Sequence, residues 1–354
     1  MKNILKCFVW LLLFYAGSLF AAPQITVLSY HHLDYDPVKK TPYSVKSANF
    51  IEQMNTLKQA GFSFITLKQL DNYVYKNIAI PDHSLLVTFD DGNLNTYTIA
   101  YPILKKLKIP FVVFIYAGAT TAGHRLRFAN WEEIKEMSDN GVDIECHTYT
   151  HPILSIPPKT IKSAAAYEKW LDFELVDSRK KIEEKLGKPV QYLAIPFGAM
   201  DSVVYEQIKK SGYRMAFNVH GMNNNSLSDP FNYNRIMVMS TDSTKNVLAK
   251  AMENPVYFED CHPVNLSRIF EQNQIIRFKL KNQQNYLAES VELYISGIKK
   301  KPVYNWGNGY YEMPYAFTRK QYYNLSVMAR NKDNKKCRGD WIFQYNNEKP
   351  EFLN

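Results

Sequence analysis

Along residues 25 to 240, short apolar β-prone runs alternate with stretches of helical periodicity, and few folds accommodate that pattern. Ile25 to Tyr30, Phe62 to Thr66, Ser84 to Phe89, Pro110 to Ile115, Val142 to Cys146, Val190 to Ile195 and Tyr213 to Val219 read as strands. Helical stretches lie between them. One is opened by the capping-box pair Asn130 and Glu133, another by Asp201, and several end in glycine, as at Gly61, Gly141, Gly187 and Gly212. Repeated βα units imply a parallel sheet, either a barrel or a doubly wound sheet. The titratable candidates His31, Asp90, Asp91, His147 and His151, with the Pro196-Phe197-Gly198 turn, all fall where a strand ends. Barrel folds build their sites at that rim. The expected fold is therefore α/β, an irregular (β/α) barrel of about seven strands.

After about residue 250 the helical period fades and short alternating runs take over, among them Ile275 to Leu280, Val291 to Ile295 and Tyr322 to Ala329. These predict a smaller C-terminal β-sandwich over 264–354, joined to a barrel domain of 23–252 by a linker at Glu253 to Pro263. Within it, Trp306, Tyr310, Tyr311, Tyr315 and Trp341 suggest a carbohydrate-binding face; filling of the sandwich core is the competing use of the same rings.

Residues 1–22 have the layout of a signal peptide: Lys2 and Lys6, an apolar centre from Phe8 to Tyr15, then the small residues Ala16, Gly17, Ser18, Ala21 and Ala22. The apolar centre is short for a membrane span, and no second run of spanning length follows. The expectation is an exported chain, in the periplasm or extracellular and associated with the cell envelope, with no transmembrane helix once mature. The formal charge of +9 includes Lys2 and Lys6 and is otherwise spread along the chain. It suits contact with anionic envelope material and shows no basic stripe for nucleic acid. Past the leader, Cys146, Cys261 and Cys337 are too few for a disulfide framework. Cys261 and Cys337 could pair after export.

Chemistry concentrates in two places. The buried-strand run Leu85-Leu86-Val87-Thr88-Phe89 ends in Asp90-Asp91-Gly92. Adjacent carboxylates repel, so a compact site holding both contains a cation or shares a proton; the other reading is a solvated Asp-Gly turn. The second place is His147-Thr148-Tyr149-Thr150-His151, leaving another strand. Two imidazoles and one carboxylate make a three-ligand set for Zn²⁺ with one position open to water. The ion acidifies that water and polarises a carbonyl oxygen, and the second carboxylate can take the proton.

Thr88-Phe89-Asp90-Asp91-Gly92 followed by His147-Thr148-Tyr149-Thr150-His151 resembles the polysaccharide deacetylases, the NodB-homology or carbohydrate esterase family four proteins. Tyr30-His31-His32 is similar to the opening motif of the branch acting on poly-N-acetylglucosamine, and Pro196-Phe197-Gly198 matches the core of the third family motif. The resemblance covers about residues 25 to 240. It implies that Asp91, His147 and His151 hold a divalent metal, most simply Zn²⁺. It also implies that Asp90 is the general base, that activated water is the nucleophile, and that the backbone N–H of Phe197 stabilises the oxyanion. His31, Trp131 and Pro196 are candidate substrate contacts, although Trp131 could equally seal a helix against the barrel. The implied reaction is hydrolysis of N-acetyl groups on an N-acetylglucosamine polymer, with poly-β-1,6-N-acetylglucosamine ahead of peptidoglycan. A non-catalytic glycan-binding protein that keeps its metal, or an O-acetyl esterase, are the alternatives.

Two departures from the family pattern stand out. Ala194 occupies the position where many members place an arginine that braces the base. Arg235-Ile236-Met237-Val238 stands where a leucine-x-histidine motif is expected.

Overall fold

The computed structural model describes residues 23–34, 41–121, 127–319 and 321–346. The proposed leader, residues 1–22, lies outside them. Among the described residues, no helix is long and apolar enough to cross a membrane.

Seven parallel strands form the curled sheet of a half-barrel. Their order across the sheet is Ile236–Met237, Ile25–Tyr30, Ser84–Phe89, Phe111–Ile115, Asp143–Cys146, Tyr192–Ala194 and Met215–Phe217. A two-residue strand, Ser63–Phe64, adds to Ser84–Phe89 off this path. Helices cover the outside. The two-residue period of a strand sorts side chains between the layers. Leu28, Tyr30, Leu85, Val87, Phe89, Val113 and Leu193 pack outwards against the helices. Val27, Leu86, Val112, Phe114, Ala194, Met215 and Phe217 fill the interior. The same alternation carries Ser29, Thr88, Asp90, Glu145 and His147 to the inner face.

Closure is made by one short segment. Tyr233 bridges to Phe217 at one edge, and three residues later Ile236 and Met237 pair with Leu28 and Ser29 at the other. Arg235 sits between these contacts and is fully buried.

The C-terminal region is two sheets around one apolar core. One contains Lys336–Tyr345, Gln321–Arg330, Glu292–Ile295 and Ile298–Lys300. The other contains Phe258–His262, Asn273–Leu280, Tyr310–Ala316 and Val303–Asn305. The segment expected to be a linker is itself sheet: Asn254–Pro255 pairs with Cys337 and Arg338, and Phe258–His262 with Asn273–Leu280. The suggested aromatic face is largely interior. Tyr311 and Trp341 are core residues, Tyr315 packs against that core, and Trp306, at 84% exposure, stands out in solvent. Cys261 and Cys337 are both free, one in each sheet.

Candidate active site

Asp90 follows Phe89 at the carboxyl end of its strand, and alternation turns it inward beneath the rim. Asp91 and Gly92 then take positive φ values of 74° and 71°, which lifts the Asp91 carboxylate to the rim itself. Glycine is required at 92, because a Cβ there would lie 2.8 Å from Cγ2 of Ile115. Asn93, buried, donates to the carbonyl of His31 at 3.1 Å and ties two strand ends together.

His147 leaves its strand on the inner face. The turn after it uses left-handed residues at Thr148 (φ 70°) and His151 (φ 62°), bringing the two imidazoles to 4.7 Å between ring centres. Strain of this kind persists where surrounding contacts over-determine it, and here they do. Thr148 Oγ1 accepts from the His151 N–H at 3.1 Å, and Ser178 Oγ donates to the Thr148 carbonyl at 2.6 Å. Buried Glu174 accepts from the N–H groups of Tyr149 (3.0 Å) and Thr150 (2.9 Å) and from the Thr150 hydroxyl (2.6 Å). Glu174 lies within a π-helical turn, Phe173–Asp177, and Ser178 follows it, inside the long 164–186 helix.

Asp91, His147 and His151 offer donor atoms that all lie within 4.8 Å of one another. Nε2 of His147 is 3.7 Å and Nε2 of His151 3.4 Å from Oδ1 of Asp91. Two donors on one tetrahedral zinc, each about 2.0–2.1 Å from it, stand about 3.3 Å apart, so the donor set fits a divalent ion. Nδ1 of His147 is 2.7 Å from the Ala194 carbonyl. Donation there leaves Nε2 with its lone pair towards the other two ligands. Burial pushes the His147 imidazole down to about 4, against the opposing pull of Asp90, which keeps the ring neutral and able to ligate.

The arginine missing at position 194 is supplied from elsewhere. Arg235 grips Asp90 with two parallel hydrogen bonds, Nη1 to Oδ1 at 2.7 Å and Nη2 to Oδ2 at 2.8 Å. Its Nε donates to the Asn218 carbonyl at 2.9 Å and Nη1 also reaches Thr88 Oγ1 at 3.2 Å. Burial raises the Asp90 carboxyl, but Arg235 and then His147 outweigh it and hold Asp90 well below the usual carboxylate range. Asp91 is lowered as well: burial raises it, and the imidazoles of His31, His147 and His151 more than compensate.

These groups open into a cleft of about 530 Å³ whose walls include His31, Tyr43, Arg127, Phe197 and Met237. His31 stacks on Tyr43 with ring centres 5.1 Å apart, and among the described residues its buried Nδ1 has no hydrogen-bond partner. Phe197 adopts φ 60°, ψ 2° within the Pro196–Gly198 turn and is 61% exposed over the cleft. Its N–H makes no backbone hydrogen bond among the described residues. The structure does not bring the other two candidates into the cleft. Trp131 opens the 131–139 helix and packs against the outer core, and Pro196 is buried beneath its turn.

A sequence model of the polysaccharide deacetylase family matches residues 78–216. A poly-β-1,6-N-acetyl-D-glucosamine N-deacetylase of Staphylococcus aureus (strain MRSA252) is 31% identical over 211 residues, 59% of this chain and 72% of its own length. The chain belongs to the polysaccharide deacetylase family. Members are hydrolases, and this one is a deacetylase by descent. Among solved structures, IcaB from Ammonifex degensii is 28% identical with a TM-score of 0.56, covering 65% of this chain and 97% of its own. The Streptococcus pyogenes deacetylase PplD, solved with acetate, shares the fold at 21% identity and a TM-score of 0.58, over 65% of this chain and 99% of its own.

Proposed function

We propose that this deacetylase removes N-acetyl groups from an N-acetylglucosamine polymer, poly-β-1,6-N-acetylglucosamine first and peptidoglycan second. The observation that carries the reading is the meeting of Asp91, His147 and His151 at one rim beside a separately braced carboxylate, Asp90. The Staphylococcus aureus relative bears the poly-β-1,6-N-acetyl-D-glucosamine activity in its name, which favours that polymer. Asp91 and the two histidines hold the ion, with Zn²⁺ the best match to a His₂-carboxylate set. A divalent ion there supplies an acidified water and a Lewis-acidic partner for the acyl oxygen.

The protein's own groups do the rest. Asp90, ionised and fixed by Arg235, accepts a proton from the attacking water. The N–H of Phe197, which has no backbone partner among the described residues, donates to the oxygen on which negative charge develops. His31 lines the cleft and meets the sugar beside the Tyr43 ring. The substrate is an envelope or extracellular polymer, so the leader-like residues 1–22 fit export, and the exopolysaccharide of a biofilm is the setting in view.

The test is acetate release. Purified protein is incubated with β-1,6- and β-1,4-linked N-acetylglucosamine oligomers, with and without added Zn²⁺. Metal-dependent acetate, faster from the β-1,6 series, is the expected outcome. Binding without acetate would favour a glycan-binding protein instead, and acetate only from O-acetylated glycans an esterase.

A further inference from the structure

The turn that carries the Phe197 N–H is held at both ends by contacts that lead to the C-terminal β domain, through His220 at one end and directly at the other. At the near end, Nε2 of His220 lies 3.1 Å from the Gly198 carbonyl. His220 is buried, its N–H donates to Asn218 Oδ1 at 2.9 Å, and its own carbonyl accepts from Nη2 of Arg338 at 3.2 Å. Arg338 belongs to the Lys336–Tyr345 strand and is locked in place by Asp340, with Nε to Oδ2 at 2.9 Å and Nη2 to Oδ1 at 3.1 Å. The packing is close at two glycines with positive φ, Gly198 (63°) and Gly221 (97°). A Cβ at Gly221 would lie 2.9 Å from Arg338 Nη2, and one at Gly198 2.8 Å from Val219 Cγ2.

At the far end, Asp201 is buried and does two jobs. Its Oδ1 caps the 202–210 helix through the Val204 N–H at 3.0 Å, and its Oδ2 accepts from Arg268 Nε at 2.6 Å. Arg268 Nη2 also donates to the Ser155 carbonyl at 2.9 Å, four residues past His151. The Ser202 N–H donates to the Leu266 carbonyl at 3.0 Å, and Leu266 is itself held by Ile342 at 2.7 Å. The left-handed Phe197 needs such support, since an isolated turn relaxes out of that conformation. About a third of this chain has no counterpart in IcaB, which aligns over nearly all of its own length.

We propose that the C-terminal β domain is part of the scaffold of the catalytic centre: Arg268 and Arg338 are positioning residues that hold the Pro196–Ser202 segment, and with it the Phe197 N–H, against the cleft. This rests on Phe197 being the oxyanion donor. Removing one such donor costs roughly 10²–10³ in kcat. Displacing it costs less, so about a tenfold fall is expected, with KM nearly unchanged because the donor acts mainly in the transition state.

The experiment compares full-length wild type with Arg338→Ala and Arg268→Ala. Arg338→Lys and Arg268→Lys serve as milder variants that keep the charge but lose the two-pronged geometry. Hydrogen–deuterium exchange is read on peptides covering 196–202, together with kcat, KM and bound metal. The expected result is faster exchange across 196–202, a kcat lower by about tenfold, KM within twofold and unchanged metal content, with the lysine variants in between. Unchanged exchange in folded variants would overturn the clamp. Faster exchange with unaltered kcat would overturn its role in positioning the donor. If wild type released no acetate from any N-acetylglucosamine polymer, the proposed activity would fall, while the exchange data would still decide the clamp.

Discussion

Replacing Arg235 by methionine is the sharpest perturbation of the site that leaves every proposed metal ligand in place. Asp90 is 2% exposed and Arg235 fully buried, and the two share a pair of hydrogen bonds at 2.7 and 2.8 Å. Without the guanidinium, the carboxylate keeps, among the described residues, only the Ser29 hydroxyl at 3.3 Å as a direct donor. Breaking a buried pair from one side leaves an uncompensated charge and costs about 3–5 kcal/mol. Removing the charge as well, in Arg235→Met with Asp90→Asn, returns part of that loss, giving a coupling energy of about 2 kcal/mol or more. Denaturant unfolding of the four metal-free proteins at pH 7 measures it. The pH dependence has a definite sign. In wild type the Asp90 carboxyl is held low, so its stabilisation is present above the unfolded value of about 3.9 and is lost as pH falls through the lower folded value. In Arg235→Met burial acts unopposed by Arg235, the carboxyl moves up, and the stability gap narrows as pH is lowered. The acid limb of acetate release moves to higher pH in the same variant. A loss under about 1 kcal/mol with additive energies would refute the bracing role.

Three further outcomes follow from the same geometry. Asp90→Asn keeps its metal and loses acetate release by about 10²–10⁴-fold, read from steady-state rates alongside elemental analysis. Glu174→Ala frees the turn between the two histidines and weakens metal binding by about 10–100-fold in a competition titration with a chelator, the range seen for outer partners of metal ligands. His147 is depressed to about 4 by burial, so its contribution to the stability of the metal-free protein is full above pH 6.5 and lost as pH falls towards 4. That amounts to about 3 kcal/mol relative to His147→Gln, which lacks the titration.

Much of this arrangement was legible in the chain because strand alternation and turn chemistry are local. An apolar run ending in Asp-Asp-Gly places one carboxylate inward and lets the next swing to the rim, and a histidine closing an alternating strand inherits that strand's inner face. Arg235 was not legible, because it reaches Asp90 only through the barrel's closing seam, 145 residues further along. The one signal was Ala194: the family pattern expects an arginine there beside Asp90, and Arg235 stands just ahead of the closing strand Ile236–Met237. For the aromatic residues of the β domain, the choice between a binding face and the core was open for a related reason. Tyr310 and Tyr311 are neighbours, so they face opposite sides of the sheet, and composition does not say which side is covered. The unpaired Cys261 and Cys337 show the same dependence on register, since each lies in a different sheet.

Cobalt titration of metal-free protein tests the centre most directly, with the visible absorption of bound Co²⁺ as readout. One equivalent is expected to bind wild type and Asp90→Asn, and binding is expected to be lost in Asp91→Ala, His147→Ala and His151→Ala. Saturation unaffected by those three substitutions, or no binding by wild type, would contradict a metal centre built from Asp91, His147 and His151.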